Sequence, residues 1–207
     1  MSEDRNEPTD PLATVAVIGG GAAGLTAALF LARAGLGVHL YDQDRSILKR
    51  ARLNNLPGGE DLEGRELLAS LRAKVDQAGV TRHEVRVDDV TPDATAGAGG
   101  FTVSAAGTEQ HIDFVVLATG QGTLRLGSLP VQTTDARQPF VKVNLVTDRW
   151  GATSVPGVYA AGVLAGWPSQ AVVCAGSGAN VAIEIASRVH GAFWVDHDDS
   201  RLPAEAE

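Results

Sequence analysis

Residues 14–42 read TVAVIGGGAAGLTAALFLARAGLGVHLYD, and this stretch decides the fold. Its first five residues, Thr14–Ile18, form the short, mostly β-branched apolar run of a buried parallel strand. After the glycines, Leu25–Ala34 has helical periodicity, and Gly35 is typical of a helix end. Gly37–Tyr41 predicts a second strand. The order strand, glycine turn, helix, strand predicts the first half of a Rossmann-type α/β fold.

The glycine turn fits the dinucleotide fingerprint G-x-G-x-x-G at Gly19, Gly21 and Gly24. In that pattern the first glycine permits the tight turn, the second admits the pyrophosphate, and the third lets helix and strand pack closely. The free N–H groups and the dipole at the helix start favour phosphate charge, so Ala22 and Ala23, just before the predicted helix, are candidate ligand residues. Asp42, at the end of the second strand, is placed to accept hydrogen bonds from ribose hydroxyls. The fingerprint predicts dinucleotide binding but leaves NAD and FAD open.

The rest of the chain continues the α/β pattern. Gly64–Ala78 predicts an amphipathic helix, and Ala94–Gly100 predicts a surface turn between two antiparallel strands. Gln121–Pro139 is weakly patterned and predicts a connection. The predicted strands are Glu84–Val90, Phe101–Ala105, Ile112–Ala118, Phe140–Leu145 and Val158–Ala161, and a last helix is predicted over Gln170–His190 with Ser169 as its N-cap.

Composition narrows the class of protein. The net charge is -8 without a basic block, which argues against nucleic-acid binding. No stretch approaches the roughly 20 apolar residues of a membrane span, so we expect a cytoplasmic protein without a membrane partner. We expect one domain over residues 12–195 between a disordered tail, 1–11, and an acidic tail, 196–207. The histidines lack metal-binding spacing, and Cys174, the single cysteine, excludes an intramolecular disulfide.

Read in order, further segments resemble the successive signatures of thioredoxin reductases and their relatives, which are two-dinucleotide-binding-domain flavoproteins. The resemblance implies an FAD-binding domain with a central parallel sheet, helices on one face and a small antiparallel sheet on the other. Besides the fingerprint, the segments are N-L-P-G at 55–58, G-R-E-L-L at 64–68, V-L-A-T-G at 116–120, T-S-V-P-G-V-Y-A-A-G at 153–162 and Q-A-V-V-C-A-G-S-G at 170–178.

The resemblance also implies how the cofactor FAD would lie. Asp42 and Gln43 would hold the adenosine end, and His83 and Glu84 fall where the family's backbone reaches adenine. Asn55 would contact the cofactor from its loop. The last helix would point its N-terminus at the isoalloxazine ring, which favours negative charge on a reduced flavin. The remaining implied ligand residues are Ala118, Thr119, Gly120, Gly162, Val163, Gln170 and Ala171.

Three features depart from the family pattern. Only Gln121–Ala152 lies where the family inserts an NAD(P)H-binding domain, and it has no second glycine fingerprint. The C-x-x-C pair is absent, and a single cysteine cannot run dithiol exchange. Val163 stands where the family has an aspartate that bonds a ribityl hydroxyl. Losing that bond weakens FAD binding by about 0.5–1.5 kcal/mol in general.

These observations favour a redox flavoprotein that resembles the FAD domain of thioredoxin reductases and lacks its own NAD(P)H domain. A redox partner protein or a second copy of the chain is expected over the exposed flavin face. The alternative is a non-catalytic flavin- or nucleotide-binding module. A third hypothesis is that an adenine nucleotide such as NAD is the ligand. On the final apolar helix, Cys174 is interpreted as core packing.

Overall fold

The structure is a computed structural model that describes residues 11–57, 61–93, 99–120 and 129–197. Most of both predicted tails therefore lies outside the described residues, as do residues 94–98 of the predicted turn and 121–128 of the predicted connection. At the edge of the acidic tail, Asp196 forms an ion pair with Arg33 at 2.6 Å. The division into one domain and two tails stays a prediction.

The predicted strand–turn–helix–strand start is confirmed, although the first helix begins at Ala22 rather than Leu25. It starts earlier because Gly21 is already its N-cap and accepts the Leu25 N–H at 3.0 Å. In chain order the elements are β1 (Thr14–Ile18), α1 (Ala22–Arg33), β2 (Gly37–Tyr41), β3 (Arg52–Leu53), β4 (Leu62–Glu63), α2 (Gly64–Gln77), β5 (Thr81–His83), β6 (Val87–Pro92), β7 (Phe101–Ala105), β8 (Thr108–Ile112), β9 (Phe114–Leu117), β10 (Thr133–Asp135), β11 (Val143–Leu145), β12 (Val158–Ala160) and α3 (Ala171–His190).

The central sheet has five parallel strands in the order β12–β9–β1–β2–β5. β1 lies in the middle, where Val15 and Val17 are completely buried. A strand covered on both faces needs apolar residues at every position, which explains its near-continuous apolar run. Because all five strands run the same way, their carboxyl ends meet at one edge of the sheet.

The three helices cover one face of this sheet. Val17 and Val116 contribute to a core that also holds Leu25 of α1, Leu68 of α2 and Ile185 of α3. Helices α1 and α3 pack very closely at Gly178. A β-carbon added there would lie only 2.1 Å from the carbonyl oxygen of Ala23, so the close approach requires glycine.

A three-stranded antiparallel sheet of β6, β7 and β8 covers the other face. Phe101 and Val103 of β7 pack there against Ile18, Val115 and Leu117 of the central sheet. The predicted architecture, with helices on one face and a small antiparallel sheet on the other, is confirmed.

Several predicted boundaries were wrong. The predicted strand Ile112–Ala118 is divided at Asp113, where the chain passes from the antiparallel sheet to the parallel one. The Asp113 carboxylate accepts the Thr14 N–H at 2.7 Å and the Thr14 hydroxyl at 2.8 Å, which fixes this crossing point. Strands β5 and β8 were not predicted, since β5 has three residues and β8 exposes four of its five.

The segment between β9 and β12 contains a two-stranded antiparallel sheet of β10 and β11. The predicted strand Phe140–Leu145 is shorter, beginning at Val143. Asn144 of β11 is 3% exposed and donates its side-chain N–H to the carbonyl of Val163 at 2.8 Å. The segment is thereby bonded to the loop that leads into α3.

Helix α3 is long and apolar enough, by length and composition, to cross a membrane, with a mean hydropathy of 1.2. The same composition occurs in core helices of globular proteins, and the face with Val181, Ala182, Ile185 and Ala186 is part of the core described above. The expected cytoplasmic location and the expected absence of a membrane partner stay predictions.

Candidate functional site

A cleft of about 890 Å³ lies at the carboxyl edge of the parallel sheet. Strands β1, β2, β9 and β12 all point their ends at it, which is where open α/β sheets bind ligands. Its volume lies near the top of the roughly 300–1,000 Å³ range of small-molecule sites. The predicted ligand residues that line it are Gly19, Gly21, Ala22, Ala23, Asp42, Gln43, Asn55, Ala118, Thr119, Gly120, Gly162, Val163, Gln170 and Ala171.

The glycine turn after β1 forms the floor of one half of the cleft. Gly19 has a φ of +115°, and a β-carbon there would lie 2.3 Å from the carbonyl oxygen of Ala118, so only glycine fits. At Gly21 the nearest atom to an added β-carbon is 3.6 Å away, on Ser46, which leaves space in front of the backbone. The tight turn at Gly19 is the role that the fingerprint assigns to the first glycine, and the approach of a pyrophosphate at Gly21 stays a prediction.

Gly24 does not line the cleft. A β-carbon at Gly24 would lie 1.8 Å from the carbonyl oxygen of Gly19, so this glycine lets α1 pack against the turn. This is the packing role that the fingerprint assigns to the third glycine. The cofactor contact predicted at Gly24 would therefore be indirect.

Two helix N-termini open on the same cleft. The N-cap of α1 is Gly21, which has no side chain, and that of α3 is Gln170, whose side chain does not cap the helix. Both first turns lack acidic residues, so their free N–H groups and dipoles favour an anion in the cleft. The prediction of Ser169 as N-cap was wrong. Its backbone N–H instead donates to the Gln138 side chain at 3.1 Å.

A side-chain hydrogen bond joins the two walls at the α3 end of the cleft. Asn55 donates its amide N–H to the Gln170 side-chain oxygen at 2.8 Å, although the two residues are far apart in sequence. Both residues were predicted ligands. They form a bridge beside the N-terminus of α3 that a ligand would meet there.

Gly162 fixes the loop at the end of β12. Its φ is +67°, and its N–H donates to the Ser177 hydroxyl at 2.8 Å, which in turn donates to the Cys174 carbonyl at 2.7 Å. A β-carbon on Gly162 would lie 2.9 Å from the β-carbon of Ala23. The loop is thus held against both α1 and α3.

His83 and Glu84, the predicted adenine contacts, do not line the cleft. The His83 ring stacks on Tyr41, with ring centroids 4.6 Å apart, and shares a 3.1 Å hydrogen bond with His39. Burial lowers the pKa of both histidines, and for His39 the charge of His83 lowers it further. Residues 85–88 line the cleft instead, because β5 ends at His83 and the chain turns toward the cleft after it.

The cleft contains two further polar groups near the ends of β9 and β12. The hydroxyl oxygen of Thr119 is buried and has no hydrogen-bond partner within the described ranges. Burial raises the pKa of the Cys174 thiol, whose sulfur lies 3.6 Å from the Pro168 carbonyl oxygen. Among the residues described, no three His, Cys, Asp or Glu side chains gather as metal ligands.

Sequence reasoning missed several residues of this site. Gly20 lines the cleft, and a β-carbon there would lie 2.0 Å from an Asp42 carboxylate oxygen. Its sequence signal is the extra glycine in the run of three. Arg45 and Ser46 also line the cleft, and their closeness to Asp42 along the chain is the signal that would have found them. Arg72 of α2 contacts Asp42, and no sequence pattern marks it.

Comparisons with known proteins agree with this geometry. A family model described as pyridine nucleotide-disulphide oxidoreductase matches residues 13–138. Thioredoxin reductase from Streptomyces coelicolor is 31% identical over 132 residues, which make up 61% of this chain and 38% of that protein. Thioredoxin reductase from Streptomyces clavuligerus is 30% identical, with the same coverage. The chain thus spans well under half the length of these relatives.

A solved structure also matches. The structure of a thioredoxin reductase from Gloeobacter violaceus superimposes with a TM-score of 0.72 at 18% identity, covering 91% of this chain and 99% of that one. At this identity the likeness shows the fold alone. Together with the family model, it confirms the predicted resemblance to the FAD-binding domain of thioredoxin reductases.

Proposed function

Because this chain belongs to the pyridine nucleotide-disulphide oxidoreductase family, a family of flavoproteins, we propose that it binds FAD in the cleft and acts as a redox flavoprotein. The observation that carries the proposal is the convergence of two uncapped helix N-termini on one cleft. A dinucleotide with a pyrophosphate in its middle and a flavin at one end offers each helix an anionic or electron-accepting group.

The residues present fit FAD. At one end of the cleft, Asp42 would accept hydrogen bonds from the ribose hydroxyls, and residues 85–88 would face adenine. The N–H groups of Ala22 and Ala23 would donate to the pyrophosphate in the open space before Gly21. The unpartnered hydroxyl of Thr119 would gain a hydrogen-bond partner from the ligand, which removes the penalty of an unpaired buried group.

The other end of the cleft would hold the flavin. Gln170 and Ala171 begin α3, so the helix dipole would stabilise negative charge on the ring system. Asn55 and Gln170 would exchange their mutual bond for bonds to the ligand or bracket it. When bound, FAD supplies reversible uptake of one or two electrons, and these residues orient it and set its electrostatic surroundings.

We further propose that electrons enter and leave through a separate partner, either a redox protein or a second copy of the chain. Ser169, Gln170 and Ala171 line the cleft, and Trp167 and Val172 lie before and after them in the sequence, each 43% exposed. These two side chains would contact such a partner. Sedimentation of the flavin-loaded protein would distinguish a dimer from a monomer that requires another protein.

A second candidate function is a binding module without turnover. Of the cleft-lining residues that α3 itself contributes, Cys174 has the one ionisable side chain, and burial raises the pKa of its thiol. Proton transfer at neutral pH would therefore have little support from the protein at this end. Val163, which cannot bond a ribityl hydroxyl, favours the same candidate.

The first test is the visible spectrum of protein purified without added cofactor, followed by chromatography of the ligand released on denaturation. We expect a flavin spectrum and about one FAD per chain. Colourless protein that fails to take up added FAD would contradict the proposal. Release of NAD or another adenine nucleotide would support the adenine-nucleotide hypothesis instead.

A second measurement separates turnover from simple binding. The flavin-loaded protein is mixed with NADH, with NADPH and with reduced methyl viologen, and bleaching of the flavin band is followed. A redox flavoprotein is expected to be reduced by at least one of these donors and reoxidised by an added acceptor. Flavin that stays oxidised with all three would favour the binding module.

A further inference from the structure

Arg72 lies on α2 behind the ribose end of the cleft, outside its lining. Its terminal nitrogen Nη2 lies 3.0 Å from an Asp42 carboxylate oxygen and 2.6 Å from an Asp44 carboxylate oxygen. The Arg72 side chain is 21% exposed and that of Asp42 is 11% exposed. Asp42 is therefore largely removed from water, and this guanidinium is its cationic partner.

The Asp42 carboxylate is held in one place from three sides. Its second oxygen accepts the backbone N–H of Asp44 at 2.9 Å. The oxygen that binds Arg72 presses against Gly20, where an added β-carbon would lie only 2.0 Å away. The carboxylate thus faces the cleft between the glycine turn and Arg72.

Removing Arg72 would affect Asp42 more than Asp44. Asp44 keeps a second cation, because Lys49 also bonds it, and hydrogen bonds from Lys49 and Arg72 lower the pKa of Asp44. Without Arg72, two carboxylates that now share one nitrogen atom would repel each other. A largely buried carboxylate without its cation moves toward water, away from the position it now holds.

We propose that Arg72 is a positioning residue for the nucleotide half of the ligand: it holds Asp42 where the carboxylate can accept the ribose hydroxyls. The inference rests on the proposed dinucleotide function of the cleft. The Nε atom of Arg72 is buried and unpartnered among the residues the structure describes. Within the described ranges, this guanidinium donates through Nη2 to the side chains of Asp42 and Asp44 and to no other side chain.

The test compares Arg72→Met with the matched control Arg82→Met. Arg82 forms a similar ion pair, with Asp76 of α2 at 2.6 Å, but does not contact Asp42. Dissociation constants are measured for FAD and for ADP, which carries the adenosine half alone. We expect Arg72→Met to weaken both ligands by about ten-fold to a hundred-fold, the range of a hydrogen bond to a charged group. Arg82→Met should stay within about two-fold of the native chain.

A double-mutant cycle with Asp42→Asn separates positioning from general loss of structure. If Arg72 acts through Asp42, Arg72→Met should cost little more affinity once Asp42 is Asn. Additive losses would overturn the proposal, as would native affinity in Arg72→Met. Should Arg72→Met fail to fold, Arg72→Gln takes its place, since glutamine is neutral but can satisfy its own hydrogen bonds.

The outcomes also separate this inference from the proposed function. A native chain that binds neither FAD nor ADP would contradict the function. A native chain that binds ADP but not FAD would contradict the flavin part and leave Arg72 testable with ADP. Native binding of either ligand with an unaffected Arg72→Met variant would contradict the role of Arg72 alone.

Discussion

The close crossing of α1 and α3 yields a sharp prediction for Gly178→Ala. A β-carbon at Gly178 would lie 2.1 Å from the Ala23 carbonyl oxygen and 2.9 Å from its carbonyl carbon. Both are backbone atoms, so no side chain can rotate away. The helices must separate by about 0.9 Å to reach the 3.0 Å below which such contacts essentially never occur.

Gly176→Ala is the matched control, because it lies on the same helix and an added β-carbon there meets nothing within 4 Å. Both substitutions gain the same helix propensity, roughly 0.8–1.0 kcal/mol. The difference between them therefore isolates the overpacking, which costs about 1–3 kcal/mol in a well-packed core. At about 2–4 °C per kcal/mol for a chain of this size, Gly178→Ala should melt roughly 2–12 °C below Gly176→Ala.

The assay is thermal unfolding followed by far-ultraviolet circular dichroism, supported by urea titration. Gly176→Ala should match or exceed the native melting temperature, while Gly178→Ala should fall below the control. Because Ala23 lines the cleft, the Gly178→Ala chain should also bind added FAD more weakly than the Gly176→Ala chain. Equal melting temperatures for the two variants would refute the reasoning about the helix crossing.

Three further predictions concern titration and the cleft. His39 and His83 have lowered pKa values in the folded state, so the unfolded chain binds protons more readily, and the free energy of unfolding should fall as pH drops below the ordinary value of 6.5. His83→Gln should flatten that slope in urea titrations between about pH 7.5 and 5.5, and an unchanged slope would contradict this cause. The raised pKa of Cys174 predicts slow reaction with a disulfide reagent at neutral pH and faster reaction in denaturant, and equal rates would disagree with its burial. Val163→Asp should tighten FAD binding by about two-fold to ten-fold through a new hydrogen bond, with Val163→Leu as the apolar control, and weaker binding would mean that the side chain does not face a ribityl hydroxyl.

Much of the fold was predictable because its signals are local. Gly19, Gly21 and Gly24 are spaced along a few residues, and the run Thr14–Ile18 has the composition of a buried strand. These local patterns are enough to predict a ligand site at the end of β1, without any knowledge of long-range contacts. Asp42 could be predicted as a ligand residue because it comes directly after the next strand, Gly37–Tyr41.

The remainder of the site depends on contacts between distant segments. The Asn55–Gln170 bond joins residues 115 positions apart, and no periodicity indicates such a pair. Residues 85–88 line the cleft, whereas His83 and Glu84 were predicted to do so. The difference arises because the three-residue strand β5 ends at His83 and the chain reaches the cleft only after it. The contact of Arg72 with Asp42 could not be predicted from the sequence, since an arginine on an amphipathic helix is usually solvated.

The pairing of α1 with α3 also sets an order of events during synthesis. About 140 residues separate the end of α1 at Arg33 from the start of α3 at Ala171. At roughly 5–20 residues per second, the ribosome needs on the order of ten seconds to make them. Throughout that interval the apolar face of α1, with Leu25 and Leu31, lacks its permanent cover. The nascent chain is therefore most exposed to aggregation and chaperone capture at its first helix, and the domain closes only when its last helix emerges.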